Sequence, residues 1–550
     1  MTVTIYYHPE GYTTTGPSLM GRNAAGESFL KGFILYNTGS EYWIKIQNIE
    51  HANQFLNTLR AFGRNDPVNI IQNQNLNDIS KSGVIYYPGP GLAEHAFQRA
   101  YFGHNLWSLC GITHTTSSAR AMDAIVDLIS APIQPWDAII CTSTAVKDNV
   151  IRVLQSQIDY LSDRLGITKV TLPKLPIIPL GVHTKDFDFN EKNKTSARKE
   201  LGISEDTIVV LFMGRLSFHA KAHPLGMYQA LELATKATKK NILLIECGWH
   251  ANEHISRAFS EAARLACPSV EVKNLDGRIA NNRNNAWACA DIFCSLSDNI
   301  QETFGLVPIE AMAAGLPVVV SDWDGYRDTV RDGIDGFRIS TLMPQAGSGG
   351  DLSKRYGLEI DTYDMYCGFS STLVSVDISA TAKSLELLIN SNELRKNMGQ
   401  AGKERAKRIY DWKHIINQYE ALWSELSEIR KLGSKDLKFL NHPWPARMDP
   451  FHAFASYPTY TLKSDTILEL AENDFFKAKA RIKEYRKLAM VNYVNIILPS
   501  DHEIDLVLET AQYGPSSALG LLKNIDANRK PFVFRSLVWF IKVGILRHCL

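Results

Sequence analysis

Glu302 and Glu310 stand with seven residues between them in Glu302-Thr-Phe-Gly-Leu-Val-Pro-Ile-Glu310. The pattern predicts a loop that becomes a helix near Leu306, with Glu302 just before it and Glu310 about one turn inside. A helix start offers unpaired N–H groups and the positive end of its dipole, and both attract an anion. Thr303, Phe304, Gly305 and Leu306 would form that start, and either carboxylate could accept hydrogen bonds from ligand hydroxyls. Upstream, Met213-Gly-Arg215-Leu-Ser-Phe-His-Ala-Lys221 follows an apolar run. Arg215 carries a planar fork of donors and Lys221 a mobile point charge, two complementary ways to hold phosphate oxygens. Gly16-Pro-Ser-Leu-Met-Gly21-Arg-Asn-Ala-Ala25-Gly26 is rich in small residues that let a backbone approach a ligand closely. Singly, each feature also has a plain structural reading: helix-start glutamates, a solvated basic loop, an ordinary glycine turn.

These groups need a scaffold. Over the first 430 or so residues, short apolar runs alternate with longer helical patterns, as parallel α/β units require. Val84–Tyr87, Ala138–Cys141 and Pro176–Pro179 read as buried strands of a first half. The charged stretch Asp188–Lys199 reads as a linker. A second half restarts at Ile208–Met213 and continues with Ile242–Ile245, Asp291–Cys294 and Pro317–Val320. Two doubly wound halves place a cleft at the carboxyl ends of both sheets. Thr341–Phe369 has no clear period and reads as a long loop. Helical patterns return from Ser379 to about Leu432. Beyond, Ser464–Leu488 reads as one long basic helix and Asp501–Leu550 as three short helices. The expected domains are residues 1–187, 188–432 and 433–550.

The 59 Lys and Arg residues are balanced by 58 Asp and Glu residues, a net charge of +1. This lacks the basic surplus of a nucleic-acid-binding protein, so no nucleic-acid partner is expected, yet a locally basic pocket is compatible with it. The eight cysteines are scattered, without metal-ligand or redox spacing, and read as reduced core residues in a cytoplasmic protein. No secretory leader is apparent at the start, and no apolar run is long enough to predict a spanning helix.

The run DIFCSLSDNIQETFGLVPIEAMAAGLPVVVSDWDG, Asp291 to Gly325, closely resembles the signature of glycosyltransferase family four, paired glutamates included. The segment Gly214–Lys221 is similar to that family's phosphate clamp, and Ile112-Thr-His114-Thr115 to its histidine near the sugar ring. As a lone histidine, His114 also has a structural reading. Gly21 and Gly26 lie where relatives carry a double glycine, which Ala25-Gly26 only approximates. Asp276-Gly277-Arg278 falls in the loop that meets the base. The resemblance covers roughly residues 1 to 430, including the helices from Met398 to Leu426, one of which crosses back onto the first domain.

The resemblance implies a GT-B fold and retaining transfer of a sugar from a nucleotide-diphosphate donor to a carbohydrate or glycolipid acceptor, as in surface polysaccharide or glycolipid assembly. Glu302 and His114 would orient the sugar, and Glu310 the ribose. Arg215, Lys221 and the backbone amides at Phe304 to Leu306 would absorb the leaving diphosphate's charge. Those groups supply the positive charge a metal would bring, so neither metal nor cofactor is expected. Asp186-Phe-Asp188 and Asp322-Trp-Asp324 mimic a metal-binding carboxylate pair but are explained by their places after strands. An epimerase or phosphorylase on the same fold remains open. So does a non-catalytic protein working through a winged-helix-like module in residues 433–550. The final apolar helix suggests a buried face or an oligomer contact. The basic residues of 473–488 read either as a solvated face or as a surface resting on anionic lipid, at the inner face of a membrane.

Overall fold

The computed structural model describes residues 2–13, 21–433, 437 and 440–549. Gly16 to Met20 of the small-residue segment lie outside them, and Gly21 opens the helix Gly21–Tyr36. The chain divides into two compact units, Met1–Trp444 and Pro445–Leu550.

The first unit holds two six-stranded parallel sheets. One comprises β1 (Thr4–Tyr6), β2 (Tyr42–Lys45), β3 (Val68–Ile71), β4 (Val84–Tyr86), β5 (Ser108–Ile112) and β6 (Ala138–Ile140), in the order β3-β2-β1-β4-β5-β6. The other comprises β7 (Ile208–Met213), β8 (Ile242–Gly248), β9 (Glu271–Asp276), β10 (Ile292–Ser295), β11 (Val318–Ser321) and β12 (Gly336–Ile339), in the order β12-β11-β10-β7-β8-β9. Both orders reverse direction beside the sheet's first strand, at β1/β4 and β10/β7, which opens a crevice at the carboxyl ends. Central strands such as β7 and β10 are buried on both faces, as helices on either side of a parallel sheet demand. This is the α/β GT-B architecture.

The helix Trp412–Gly433 returns to the first sheet. It buries Trp412, Tyr419 and Trp423 among Phe29, Phe33 and Tyr86. The Trp412 ring lies so close to Gly32 and Gly181 that a Cβ at either would stand 2.7 or 2.5 Å from it. The Trp412 indole N–H donates to Ser28 Oγ at 2.7 Å.

Several sequence expectations are corrected. Pro176–Pro179 is no strand; its one isolated bridge, from Ile177, reaches Cys141 just past β6, because proline has no N–H to give a ladder. The expected linker Asp188–Lys199 contains the helix Glu191–Leu201. Asn190 caps it, accepting from Lys192 N and Asn193 N at 3.0 and 3.1 Å. The expected loop Thr341–Phe369 holds β13 (Thr341–Leu342) and the helix Gly350–Gly357, and a second helix, Tyr363–Thr372, begins within it; β14 (Ser375–Val376) then pairs with β13.

The second unit is a small α+β module. The long basic helix is instead β15 (Ile467–Leu470) followed by the helix Phe475–Tyr485. Of the three short helices, Asp501–Ala511 and Lys530–Lys542 form, while the middle region has only the 3₁₀ turn Gly520–Leu522. The strands β16 (Ser516–Ser517) and β17 (Leu546–His548) flank β15 antiparallel. Leu468, Ile482, Val507, Leu537 and Phe540 meet in its core, so the last helix has a buried face within its own module. All eight cysteines are free thiols, seven of them buried. Among the described residues no helix is long and apolar enough to cross a membrane.

Candidate active site

The chain leaves β7 through Gly214, at φ +140°, a backbone open to glycine. Gly248, at the end of β8, is equally constrained: a Cβ there would lie 1.8 Å from the Gly214 carbonyl oxygen. Gly277 N in turn donates to Gly248 O at 2.8 Å. The three strand ends β7, β8 and β9 therefore pack backbone on backbone, which aims Arg215 and Lys221 from one loop. Arg215 Nη2 donates to Ala220 O and to Gln301 Oε1, both at 2.7 Å.

The loop after β10 comes to meet them. Asn299 Nδ2 donates to His219 O at 2.9 Å, and Gln301 N donates to Asn299 Oδ1 at 2.9 Å. Lys221 Nζ donates to Glu302 Oε2 in a largely buried ion pair. Burial alone would push the Glu302 carboxyl up, but the Lys221 ammonium and the Thr303 and Phe304 amides outweigh it and hold the group below the usual range. Burial likewise pulls Lys221 down, and the Glu302 charge more than reverses that. Gly305, at φ +80°, caps the helix Leu306–Ala313; a Cβ there would sit 1.9 Å from the Tyr326 ring. Glu310 lies on this helix, its carboxyl pushed up to about 7 by burial, against the pull of Arg283 and Lys221.

The first sheet closes the site from the other side. Thr303 Oγ1 donates to His114 O at 3.2 Å, and Ser143 Oγ donates to Thr303 O at 2.9 Å. Ser143 caps the 22-residue helix Thr144–Leu165, and Thr144 N at its start donates to Asp328 Oδ2 at 2.6 Å. The structure thus brings Arg215, Lys221, Glu302, Thr303 and the His114 backbone together. Asp276 sits at the end of β9, held well below the carboxylate range, at about 2, chiefly by its hydrogen bonds from Arg278. Gly26 packs on Gly11, whose carbonyl oxygen would lie 1.9 Å from an added Cβ.

Four polar side chains of this region have no site role in the sequence reading: Asn299, Gln301, Tyr363 and Asp324. Asn299 and Gln301 stand inside the quoted signature and were legible there as flanking residues of Glu302. Asp324, half-buried at φ +43°, accepts from Ser143 Oγ at 3.3 Å. Burial, then the Glu302 charge, push its carboxyl up to about 8. The other three look-alike carboxylates also have partners: Asp186 pairs with Lys31 and Asp188 with Lys403, at 2.9 and 2.7 Å. Asp322 faces Arg338 at 3.5 Å.

Comparison with known proteins gives this geometry a context. Residues 193–346 match the family model described as glycosyl transferases group 1. A phosphatidyl-myo-inositol mannosyltransferase of Mycobacterium leprae is 32% identical over 326 residues, 58% of this chain and 68% of that protein. A D-inositol 3-phosphate glycosyltransferase of Geodermatophilus obscurus is 32% identical over 181 residues, 30% of this chain. The chain spans only 37% of that relative's length, and 47% of a Corynebacterium efficiens protein of the same name. In fold, an Anabaena protein solved in complex with UDP superposes with a TM-score of 0.51 at 14% identity, covering 77% of this chain and all of that one.

Proposed function

The chain belongs to the group 1 glycosyl transferases, and from that premise we propose that it moves a hexosyl group from a nucleotide-diphosphate sugar to a hydroxyl acceptor with retention of configuration. One observation carries the proposal: Arg215, Lys221, Glu302 and the start of the helix Leu306–Ala313 converge at the carboxyl ends of the second sheet, opposite the His114 loop. That convergence joins two cations and a helix start to a carboxylate, the set needed to hold a diphosphate beside a sugar.

The residues divide the work by chemistry. Arg215 and Lys221 neutralise phosphate oxygens whose charge grows as the glycosidic bond breaks, and amides at the helix start add their dipoles. Glu302 accepts from sugar hydroxyls while its pairing keeps Lys221 charged and fixed. Glu310 accepts from the ribose. In this scheme the departing phosphate oxygen, and no enzyme nucleophile, takes the acceptor's proton on the same face. The positive charge already present makes a metal unnecessary in this scheme. The relatives named for phosphatidyl-myo-inositol and D-inositol 3-phosphate favour a polyol-bearing acceptor, such as a glycolipid headgroup.

Slow donor hydrolysis tests this. Purified protein is given UDP-, GDP-, ADP- and dTDP-sugars with EDTA present, and released nucleoside diphosphate is read. Release from one donor, lost in Glu302→Gln, supports the proposal and names the donor. No release and no binding of any nucleotide overturns it.

A further inference from the structure

The segment between β13 and β14 carries no signature residue, yet it reaches into the site. Its two helices are locked together: the Tyr356 and Tyr366 rings stack at 4.4 Å and 5°, and Arg355 pairs with the buried Asp361 at 2.7 Å. Tyr356 OH accepts from Ala119 N, at the start of the helix Ala119–Ser130, at 2.8 Å. Gly368 lies against His219 so closely that a Cβ there would stand 3.0 Å from the His219 Cβ. The segment is therefore anchored both to the first sheet's loops and to the loop that bears Arg215 and Lys221.

Tyr363 occupies the junction. Its hydroxyl lies 2.9 Å from Ser117 Oγ and 3.3 Å from Thr115 Oγ1, and Gln301 Nε2 donates to it at 3.2 Å. Gln301 Oε1 accepts from Arg215 at 2.7 Å. A guanidinium has donors only, so Gln301 must turn its oxygen to Arg215 and its nitrogen to Tyr363. The direction of the chain is thereby set: Arg215 gives to Gln301, Gln301 gives to Tyr363, and Tyr363 exchanges with Ser117 and Thr115. Thr115 is the residue next to His114.

We propose that Tyr363 is a positioning residue that fixes Arg215 through Gln301 and ties its placement to the Thr115–Ser117 loop of the opposite sheet. Ala220 O and Gln301 hold Arg215 from its own side, and the tie through Tyr363 adds a constraint that exists only while the two sheets' loops are together, so domain closure completes the fixing of the phosphate clamp. This rests on the phosphate role given to Arg215 above. A catalytic arginine that must meet growing charge gains from such fixing in turnover more than in donor affinity.

Tyr363→Phe keeps the ring and removes only the hydroxyl. In donor hydrolysis it should lower kcat about tenfold and leave KM within about twofold, with the Tm unchanged; the double variant with Gln301→Met should lose no more than Gln301→Met alone. Unchanged kcat, or losses that multiply independently, overturns the proposal. Hydrogen exchange supplies the arm that needs no turnover: amides of Thr115 to Ala119 should exchange faster in Tyr363→Phe than in the parent. If the parent hydrolyses no donor but exchange rises, the tie stands and the transferase reading fails. If exchange does not change, the tie itself is wrong.

Discussion

Lys221 and Glu302, 81 residues apart in the chain, form one ion pair between the loop after β7 and the loop after β10. Their side chains are 22% and 11% exposed, so the pair is screened little by water. Removing one partner of such a pair leaves an uncompensated charge, at a cost of about 3 kcal/mol. Lys221→Met and Glu302→Gln should each lower stability by about that much in urea unfolding. The double variant should recover part of the loss. Additive losses would mean that the two groups are held independently.

The Glu310 carboxyl gives a pH dependence with a definite sign. Its value in the folded protein is raised from 4.5 to about 7, so the native state binds this proton more tightly than the unfolded chain. The stabilisation is complete below 4.5 and is lost as pH rises through about 7. Donor binding moves the other way, because the ionised carboxylate is the better acceptor for ribose hydroxyls. Nucleoside diphosphate affinity should therefore rise between pH 6 and 8 by roughly threefold to tenfold, and Glu310→Gln should flatten that rise. Isothermal titration across the range decides it; an unchanged slope in the variant would remove Glu310 from the ribose site.

How much of this was legible in the sequence follows from the range of the interactions. The Glu302–Glu310 segment was legible because strand, loop and helix start are contiguous, and the helix begins at Leu306 as the spacing requires. The doubly wound order was legible because buried parallel strands read as unbroken apolar runs. What joins the sheets was not. Ser143 meets Thr303 across 160 positions, and Tyr363 meets Ser117 across 246, through single hydroxyls that leave no periodic trace. The helix Gly350–Gly357 has no buried residue, so it lacks the apolar stripe that marks a helix and read as loop. The same holds for Glu191–Leu201, where only Ala197 and Arg198 are buried.

Gly305 should tolerate no side chain. Its φ of +80° strains any L-residue, and the added Cβ would overlap the buried Tyr326 ring at 1.9 Å. Gly305→Ala must therefore shift the helix start or displace Tyr326. It should cost about 2–3 kcal/mol and weaken nucleotide binding together with stability. Gly202→Ala, at φ +68° but with open space around it, separates the two causes: it should lose about 1 kcal/mol of stability and keep nucleotide affinity. Equal effects on affinity at both sites would show that backbone strain, and not the geometry of the helix start, is what the ligand senses.

The basic helix of the second unit carries its own counter-charges. Lys477 faces Asp474 at 3.7 Å, Lys479 faces Asp505 at 2.8 Å and Lys487 faces Glu484 at 2.6 Å. Arg481 and Arg486 pair with Glu472 and Asp501. Five of the six cations of 473–488, all but Lys483, stand next to carboxylates, which weakens the positive field a Debye length away, about 8 Å in physiological salt. An anionic membrane attracts each uncompensated lysine by about 1 kcal/mol, and paired lysines gain far less. Reversing Lys477 and Lys479 to Glu should therefore change pelleting with phosphatidylserine vesicles by less than about twofold. Strong pelleting that these reversals abolish would show that lipid headgroups outcompete Asp474 and Asp505, and would make this helix a membrane-facing surface.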